Sequence, residues 1–202
     1  MLRARPSSSR DLALVASFAA LVAVLGLPGS LNLYGNAVPI TLQTLGVMLA
    51  GSVLGWRRGG AALVVFLVLV AAGLPLLAGG RGGLGVFAGP SAGFLLAWPI
   101  GAAVTGWLVE RTLPAYPTWW GLTANLVGGV AVVYAIGVPV QAAVLGTSSV
   151  VSTAVAAAVF LPGDLVKAIT ATVVAAGVHR AYPVAPAARR NRASEHADTG
   201  AR

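Results

Sequence analysis

From Thr112 to His179 the chain reads TLPAYPTWWGLTANLVGGVAVVYAIGVPVQAAVLGTSSVVSTAVAAAVFLPGDLVKAITATVVAAGVH, 68 residues interrupted only by the charges of Asp164 and Lys167. A membrane-spanning helix needs about 20 apolar residues, so this run holds either two spans with long connections or three. The choice decides the fold. Earlier uncharged intervals run from Leu12 to Trp56 (45 residues), from Gly59 to Gly80 (22) and from Gly82 to Val109 (28). They leave room for two spans, one and one.

The basic residues decide between two and three. Six helices near 12–29, 41–56, 60–78, 91–109, 119–138 and 153–180 put the N-terminus, the second and fourth turns and the C-terminus on one face. That face then carries Arg3, Arg5, Arg10, Arg57, Arg58, Arg111, Arg180, Arg189, Arg190, Arg192 and Arg202, eleven of the thirteen Lys and Arg. Arg81 alone falls on the opposite face, and Lys167 lies inside the last apolar segment. Cytoplasmic loops carry the excess of Lys and Arg, and a seventh helix would move the Arg-rich tail to the far side. The expected fold is an all-α polytopic membrane protein with six transmembrane helices and both termini cytoplasmic. Its parts are a cytoplasmic segment 1–11, a transmembrane domain 12–182 and a tail 183–202. The tail is rich in Pro, Arg, Glu, Asp and Ser without apolar periodicity, which predicts disorder. A cleaved signal peptide competes for the N-terminus, but the apolar stretch 12–27 is long for a signal core.

Composition agrees with a membrane solvent. The chain is 57% hydrophobic and 9% charged, where soluble domains carry about 25% charged residues. A soluble enzyme and a disordered chain are both excluded. The 26 glycines and 12 prolines suit helices that pack closely and break within a bilayer. With no cysteine, disulfides, Cys-ligated zinc and thiol chemistry are unavailable. The net charge of +8 arises at the ends of apolar runs, so a lipid bilayer is expected as surroundings and no nucleic acid as partner.

Asp164 and Lys167 are the most informative residues. An ionisable group at the centre of a membrane helix costs at least about 2.5–3.5 kcal/mol. Their i, i+3 spacing puts them on one helix face, close enough to pair. Lys167 precedes Arg180 by thirteen residues, about 20 Å of helix, which places the pair in the outer half of the bilayer on the side of Arg81. Intramembrane charges commonly line a pathway or ligand site; the alternative is an ion pair that only locks the last helix in place. Pro162-Gly163, just before the pair, predicts a helix break whose freed backbone groups need a cavity or protein partners. A carboxylate accepts and an ammonium donates, which suits a compact solute with a hydrogen-bonding head in an apolar and aromatic pocket. Tyr34, Asn36, Phe87 and Trp98 are further outer-side candidates. The loop Gly79-Gly80-Arg81-Gly82-Gly83 is flexible enough for a lid, with Arg81 placed to attract an anion; its plainer reading is a simple connection.

Two enzymatic readings fail. Gly89-Pro90-Ser91-Ala92-Gly93 matches the G-x-S-x-G pattern of serine hydrolases, but a nucleophilic Ser needs a base within reach. His179 lies about a membrane thickness away and His196 is in the tail. No Gly-x-x-x-x-Gly-Lys-Ser/Thr stretch is present, so uphill transport would draw on another subunit or an ion gradient. In the first helix, Ala16/Ala20 and Ala19/Ala23 offer two registers of a small-residue face for close packing.

The ordered set of motifs resembles the BioY-type biotin transport proteins. Val38-Pro39-Ile40-Thr41-Leu42-Gln43-Thr44 and Leu49-Ala50-Gly51-Ser52-Val53-Leu54-Gly55 resemble the entry into that family's second helix. Ala72-Gly73-Leu74-Pro75, the Gly79–Gly83 loop, Gly89-Pro90-Ser91-Ala92-Gly93-Phe94 and Phe160-Leu161-Pro162-Gly163-Asp164-Leu165-Val166-Lys167 continue it in order, over roughly residues 12–180. The resemblance implies the substrate-binding (S) component of an energy-coupling-factor (ECF) transporter in a bacterial cytoplasmic membrane, with a six-helix bundle and an outward-side biotin pocket. It also implies a transmembrane coupling subunit and two ATPase subunits as partners, or a homo-oligomer when the chain acts alone. Biotin would be the transported ligand; no cofactor and no enzymatic activity of the chain itself are expected. Asp164 and Lys167 match the family's binding Asp and Lys. The full candidate ligand set is Asp164, Lys167, Arg81, Gln43, Asn36 and Phe87, and the coupling subunit would dock on Ala16/Ala20 or Ala19/Ala23. Ser91, Ala92 and Phe94 depart from the family's usual Thr, Gly and Tyr. The region after Gly121 is the least family-like, so Asn125, Tyr134 and Gln141 are not carried over. The alternatives are an S component for another vitamin, or a non-transport membrane assembly protein whose charged pair is structural.

Overall fold

The computed structural model describes residues 9–29, 40–147 and 149–182. Tyr34, Asn36, Arg3, Arg5 and the tail 183–202 lie outside the described residues. Helix α1 spans Ser9–Val24, α2 Gln43–Ala71, α3 Ala92–Glu110, α4 Thr118–Leu145 and α5 Val150–Ala181. No strand occurs among the described residues. The last four helices are long and apolar enough to cross a membrane.

Helix α2 is a hairpin of two arms, 43–54 and 56–71, folded at Gly55. Gly55 has φ 81° and ψ −178°, a region that only glycine occupies readily. A Cβ there would also run into the Glu110 carboxylate, whose Oε1 accepts from the Trp56 N–H at 3.0 Å. The acidic end of α3 thus caps the start of the returning arm. The reversal brings Leu76 and Ala78, beyond the second arm, back beside Gln43 at the head of the first. These arms correspond to the expected helices 41–56 and 60–78, with Arg57 and Arg58 at the start of the returning arm. The first helix starts and stops earlier than 12–29, ending in the turn before Pro28.

Two later helices change pitch. Helix α4 has a π segment over Leu126–Val132, where Gly128 lies so close to Gly101 and Thr105 of α3 that no side chain fits. Helix α5 narrows to a 3-10 turn at Ala158–Phe160 and resumes as Leu161–Ala181. The break expected at Pro162-Gly163 therefore falls one turn earlier. Pro162 occupies the first turn of the resumed helix, where a missing N–H leaves no bond unmade.

The bundle has two dissimilar ends. At one, Asp11 pairs with Arg58 at 3.2 Å, Arg10 donates to the Tyr182 hydroxyl at 3.1 Å, and Arg57, Arg111 and Arg180 lie near the helix ends. The described basic residues of the predicted cytoplasmic face thus gather together. Just inside, His179 Nε2 lies 2.9 Å from the Ser52 carbonyl and its ring stacks on Tyr116 at 4.8 Å. A buried polar chain follows: Ser52 donates to Asn125, and Asn125 donates to Gly121 O and to Thr172. That chain ties the first arm of α2 to α4 and α5. Around Phe66, Leu63, Val70, Leu95 and Trp98 the apolar core fills the middle.

Candidate functional site

The opposite end opens into a cavity of about 60 Å³. Its walls come from the head of α2 (Gln43, Thr44), the following loop (Leu77, Arg81), the start of α3 (Ser91, Phe94, Trp98), the middle of α4 (Gly129, Tyr134), and α5 (Phe160 of its 3-10 turn, then Asp164 and Lys167). The 3-10 turn in α5 and the π segment in α4 position the last two groups. A π segment inside an α-helix commonly marks a functional position, and here it brings Gly129 to the cavity wall.

Asp164 is the centre of the polar cluster. One carboxylate oxygen accepts from Lys167 Nζ at 2.9 Å and the other from the Tyr134 hydroxyl at 2.6 Å. Asp164 and Lys167 are 5% and 7% exposed, so the pair is withdrawn from solvent except through the cavity it lines. The Tyr134 ring is held in turn by an edge-on contact with Phe94, centroids 5.9 Å apart. Phe94 has no hydroxyl to offer, and the phenol of this wall comes from Tyr134 instead. Tyr134 is not carried over from the sequence because the region after Gly121 is the least family-like, and a hydroxyl on an apolar helix carries no mark of its own of what it will face.

Two further polar atoms on the wall have no protein partner. Trp98 Nε1 and Thr44 Oγ1 are both buried without a hydrogen bond, and both residues line the cavity. Buried donors left unpaired are rare and call for an explanation. A ligand carrying acceptor oxygens would supply one. Trp98 was a sequence candidate; Thr44 was not, although it closes the Pro39-to-Thr44 motif.

The remaining expectations divide. Arg81 lines the cavity from its mouth, exposed, with Nε donating to Ala78 O at 3.3 Å. Gln43 also touches the cavity, but its amide is fully engaged elsewhere. Nε2 donates to Val22 O (3.2 Å) and Leu76 O (3.0 Å), and Oε1 accepts from Ala78 N–H (3.0 Å). Gln43 thus anchors the base of the Arg81 loop to α1 and α2 and has no donor left for a ligand. Phe87 packs, partly buried, against the apolar core and does not line the cavity. In α1, Ala19 is 3% exposed and packed in the core, with Ala23 partly buried against it, whereas Ala16 and Ala20 face outward.

The model of the BioY family matches residues 2–184. A protein of Rhizobium etli named biotin transporter BioY is 46% identical over 185 residues, covering 89% of this chain and 98% of that protein. Its namesake in Rhodobacter capsulatus is 45% identical over 190 residues with the same coverage. A probable biotin transporter BioY of Bacillus subtilis is 42% identical over 174 residues, 85% of this chain and 91% of that one. A crystal structure of the S-component for biotin from an ECF-type ABC transporter superposes with a TM-score of 0.80 at 31% identity, over 85% of this chain and 91% of that one. The motifs that bring Asp164 and Lys167 to the cavity thus sit in a chain that matches these proteins along nearly its whole length, and the chain belongs to the BioY family.

Proposed function

We propose that this chain captures biotin at the outer face of a bacterial cytoplasmic membrane as the substrate-specific S component of an ECF transporter. The observation that carries the reading is the Tyr134–Asp164–Lys167 cluster on an apolar, aromatic cavity wall that also holds the unpaired Trp98 and Thr44 donors. The biotin named for the relatives and for the superposed structure supports the choice of ligand.

In this mechanism Asp164 accepts from a ureido N–H, and Lys167 donates to the ureido carbonyl while keeping its contact with Asp164. Phe94, Trp98 and Phe160 take the apolar ring and chain, and Arg81 meets the carboxylate at the mouth. A cavity of about 60 Å³ is far below the roughly 300–1,000 Å³ of small-molecule sites, so entry requires the walls to part. The loop around Arg81 is suited to this. Gly79, Gly80 and Gly83 all have positive φ with open space around them, while Gln43 holds the loop's base.

The two arms of α2 with α1, α3, α4 and α5 make six crossings, with both termini on the Arg-rich, cytoplasmic face. A transmembrane coupling subunit docks on the outward Ala16/Ala20 register of α1, two ATPase subunits supply energy, and the chain without them self-associates. The test is equilibrium binding of labelled biotin to the detergent-purified chain. Saturable binding of one biotin per chain is expected. No binding by folded protein would remove biotin and leave another vitamin as the next ligand to try.

A further inference from the structure

A second hollow lies on the outer surface, between the returning arm of α2 and α3, at the basic end of the bundle and far from Asp164. It measures about 620 Å³ and is open along its side. Its floor is Gly60, Pro99 and Ala103, and its walls include Val64, Ile100 and Trp107. Val64 and Ile100 are about half exposed. Gly60 makes the hollow: a Cβ there would meet only Pro99 O at 3.4 Å and Ala103 Cβ at 3.5 Å, ordinary contacts, so a larger side chain would fit by filling it.

Two cations flank the hollow, each lying over an indole. Arg57 Cζ lies 4.9 Å from the Trp56 ring centroid, and Arg111 Cζ lies 3.4 Å from that of Trp107. Both arginines are exposed, and neither has a carboxylate within ion-pair distance among the described residues. Of the neighbouring acids, Asp11 pairs with Arg58, and Glu110 accepts from the Trp56 N–H while its charge faces Arg58 and Arg57 from beyond ion-pair distance. Half-exposed indoles are enriched at the membrane–water boundary, which sets the arginines at headgroup level and the Gly60–Ala103 floor at acyl-chain level. Unpaired cations at that level complement an anion, and an apolar trough beneath them complements a hydrocarbon chain.

We infer that this hollow is a binding site for one anionic phospholipid, its phosphate between Arg57 and Arg111 and one acyl chain along Gly60, Pro99 and Ala103. The inference rests on reading this surface as lipid-facing; it is independent of the identity of the transported ligand. At the usual strength of a basic residue near a charged membrane surface, two arginines give a preference of roughly thirty-fold for an anionic over a zwitterionic lipid of the same chains.

The test is native mass spectrometry of the detergent-purified full chain titrated with dioleoylphosphatidylglycerol or dioleoylphosphatidylcholine. One phosphatidylglycerol retained per chain is expected, at concentrations far below those needed for phosphatidylcholine. Arg57→Gln with Arg111→Gln should bring phosphatidylglycerol down to the phosphatidylcholine level, and Gly60→Leu should weaken retention with both charges in place. Equal retention of the two lipids would overturn the proposal, as would undiminished phosphatidylglycerol in the double variant. A dimer that Gly60→Leu separates would assign the hollow to a second copy and overturn it equally. Biotin binding, measured on the same samples, should be unchanged in all three proteins. Failure here and failure of the biotin reading are therefore distinguishable.

Discussion

Replacing Asp164 with Asn separates the two tasks of the carboxylate. The amide keeps the shape and can still accept from the Tyr134 hydroxyl, now 2.6 Å away. It removes the negative charge 2.9 Å from Lys167 Nζ and leaves an ammonium that is 7% exposed without a counter-charge. Removing one partner of a buried pair costs about 3–5 kcal/mol. The lower figure applies here, because both groups line a cavity that water can enter. For a chain of this length about 3 kcal/mol corresponds to a fall in Tm of roughly 6–12 °C. Adding Lys167→Met removes the stranded charge, and the double variant should recover to within about 1 kcal/mol of the parent, since apolar replacements of buried pairs are close to neutral. Ligand binding should not recover. A hydrogen bond to a charged group is worth about 1.5–3 kcal/mol, so both variants should bind biotin at least roughly ten-fold more weakly. Thermal unfolding and labelled-biotin titration on the same detergent samples read the two effects. A double variant with parental stability and parental affinity would show that the pair is a packing device, and would refute the assignment.

Three other outcomes follow from contacts already described. Tyr134→Phe keeps the edge-on contact with Phe94 but deletes the hydroxyl bond to Asp164; biotin affinity should fall about ten-fold with little change in Tm, and unchanged affinity would remove Tyr134 from the site. Gly55→Ala must adopt φ 81° and displace the Glu110 carboxylate, so a loss of at least about 1–2 kcal/mol is expected in thermal unfolding, and parental stability would contradict the hairpin. Bulky replacements in α1 should act differently by register. Ala16→Leu, on the outward face, should leave stability and biotin binding intact while reducing co-purification with coupling subunits, whereas Ala19→Leu should lower Tm by overpacking the core. Equal co-purification of Ala16→Leu and parent would exclude that register as the docking face.

Much of the site was legible because a bilayer makes charge conspicuous. Asp164 and Lys167 stand out in an apolar run, and the Arg57-Arg58 step marks where the α2 hairpin turns. Other features depend on three-dimensional facts that no sequence period encodes. Ala16/Ala20 and Ala19/Ala23 repeat identically along the chain, and only packing against α2 shows which register is buried. Gln43 sits in a motif near the ligand, yet all its polar valence goes to the backbone of α1 and the 76–78 loop. Phe87 looks like an outer-side aromatic but turns toward the core. Tyr134 reaches Asp164 from beyond the π segment, whose altered pitch changes which α4 side chains face inward, so a 3.6-residue count does not find it.

The polar chain of Ser52, Asn125 and Thr172 bears on how such a molecule can deliver what it holds. These side chains, with Thr105, are at most 2% exposed; they lie between the cavity and the Arg-rich end, and His179 closes off below them against Ser52 O. Opening a conduit through the bundle would break these buried hydrogen bonds together with the packing around them, each bond contributing about 0.5–1.5 kcal/mol. Parting the walls at the Arg81 loop breaks little by comparison. Among the described residues the cavity is thus closed toward the Arg-rich end and open toward the Arg81 loop. Loading and emptying would then share the passage at the Arg81 loop, with the polar layer as a fixed floor beneath the ligand.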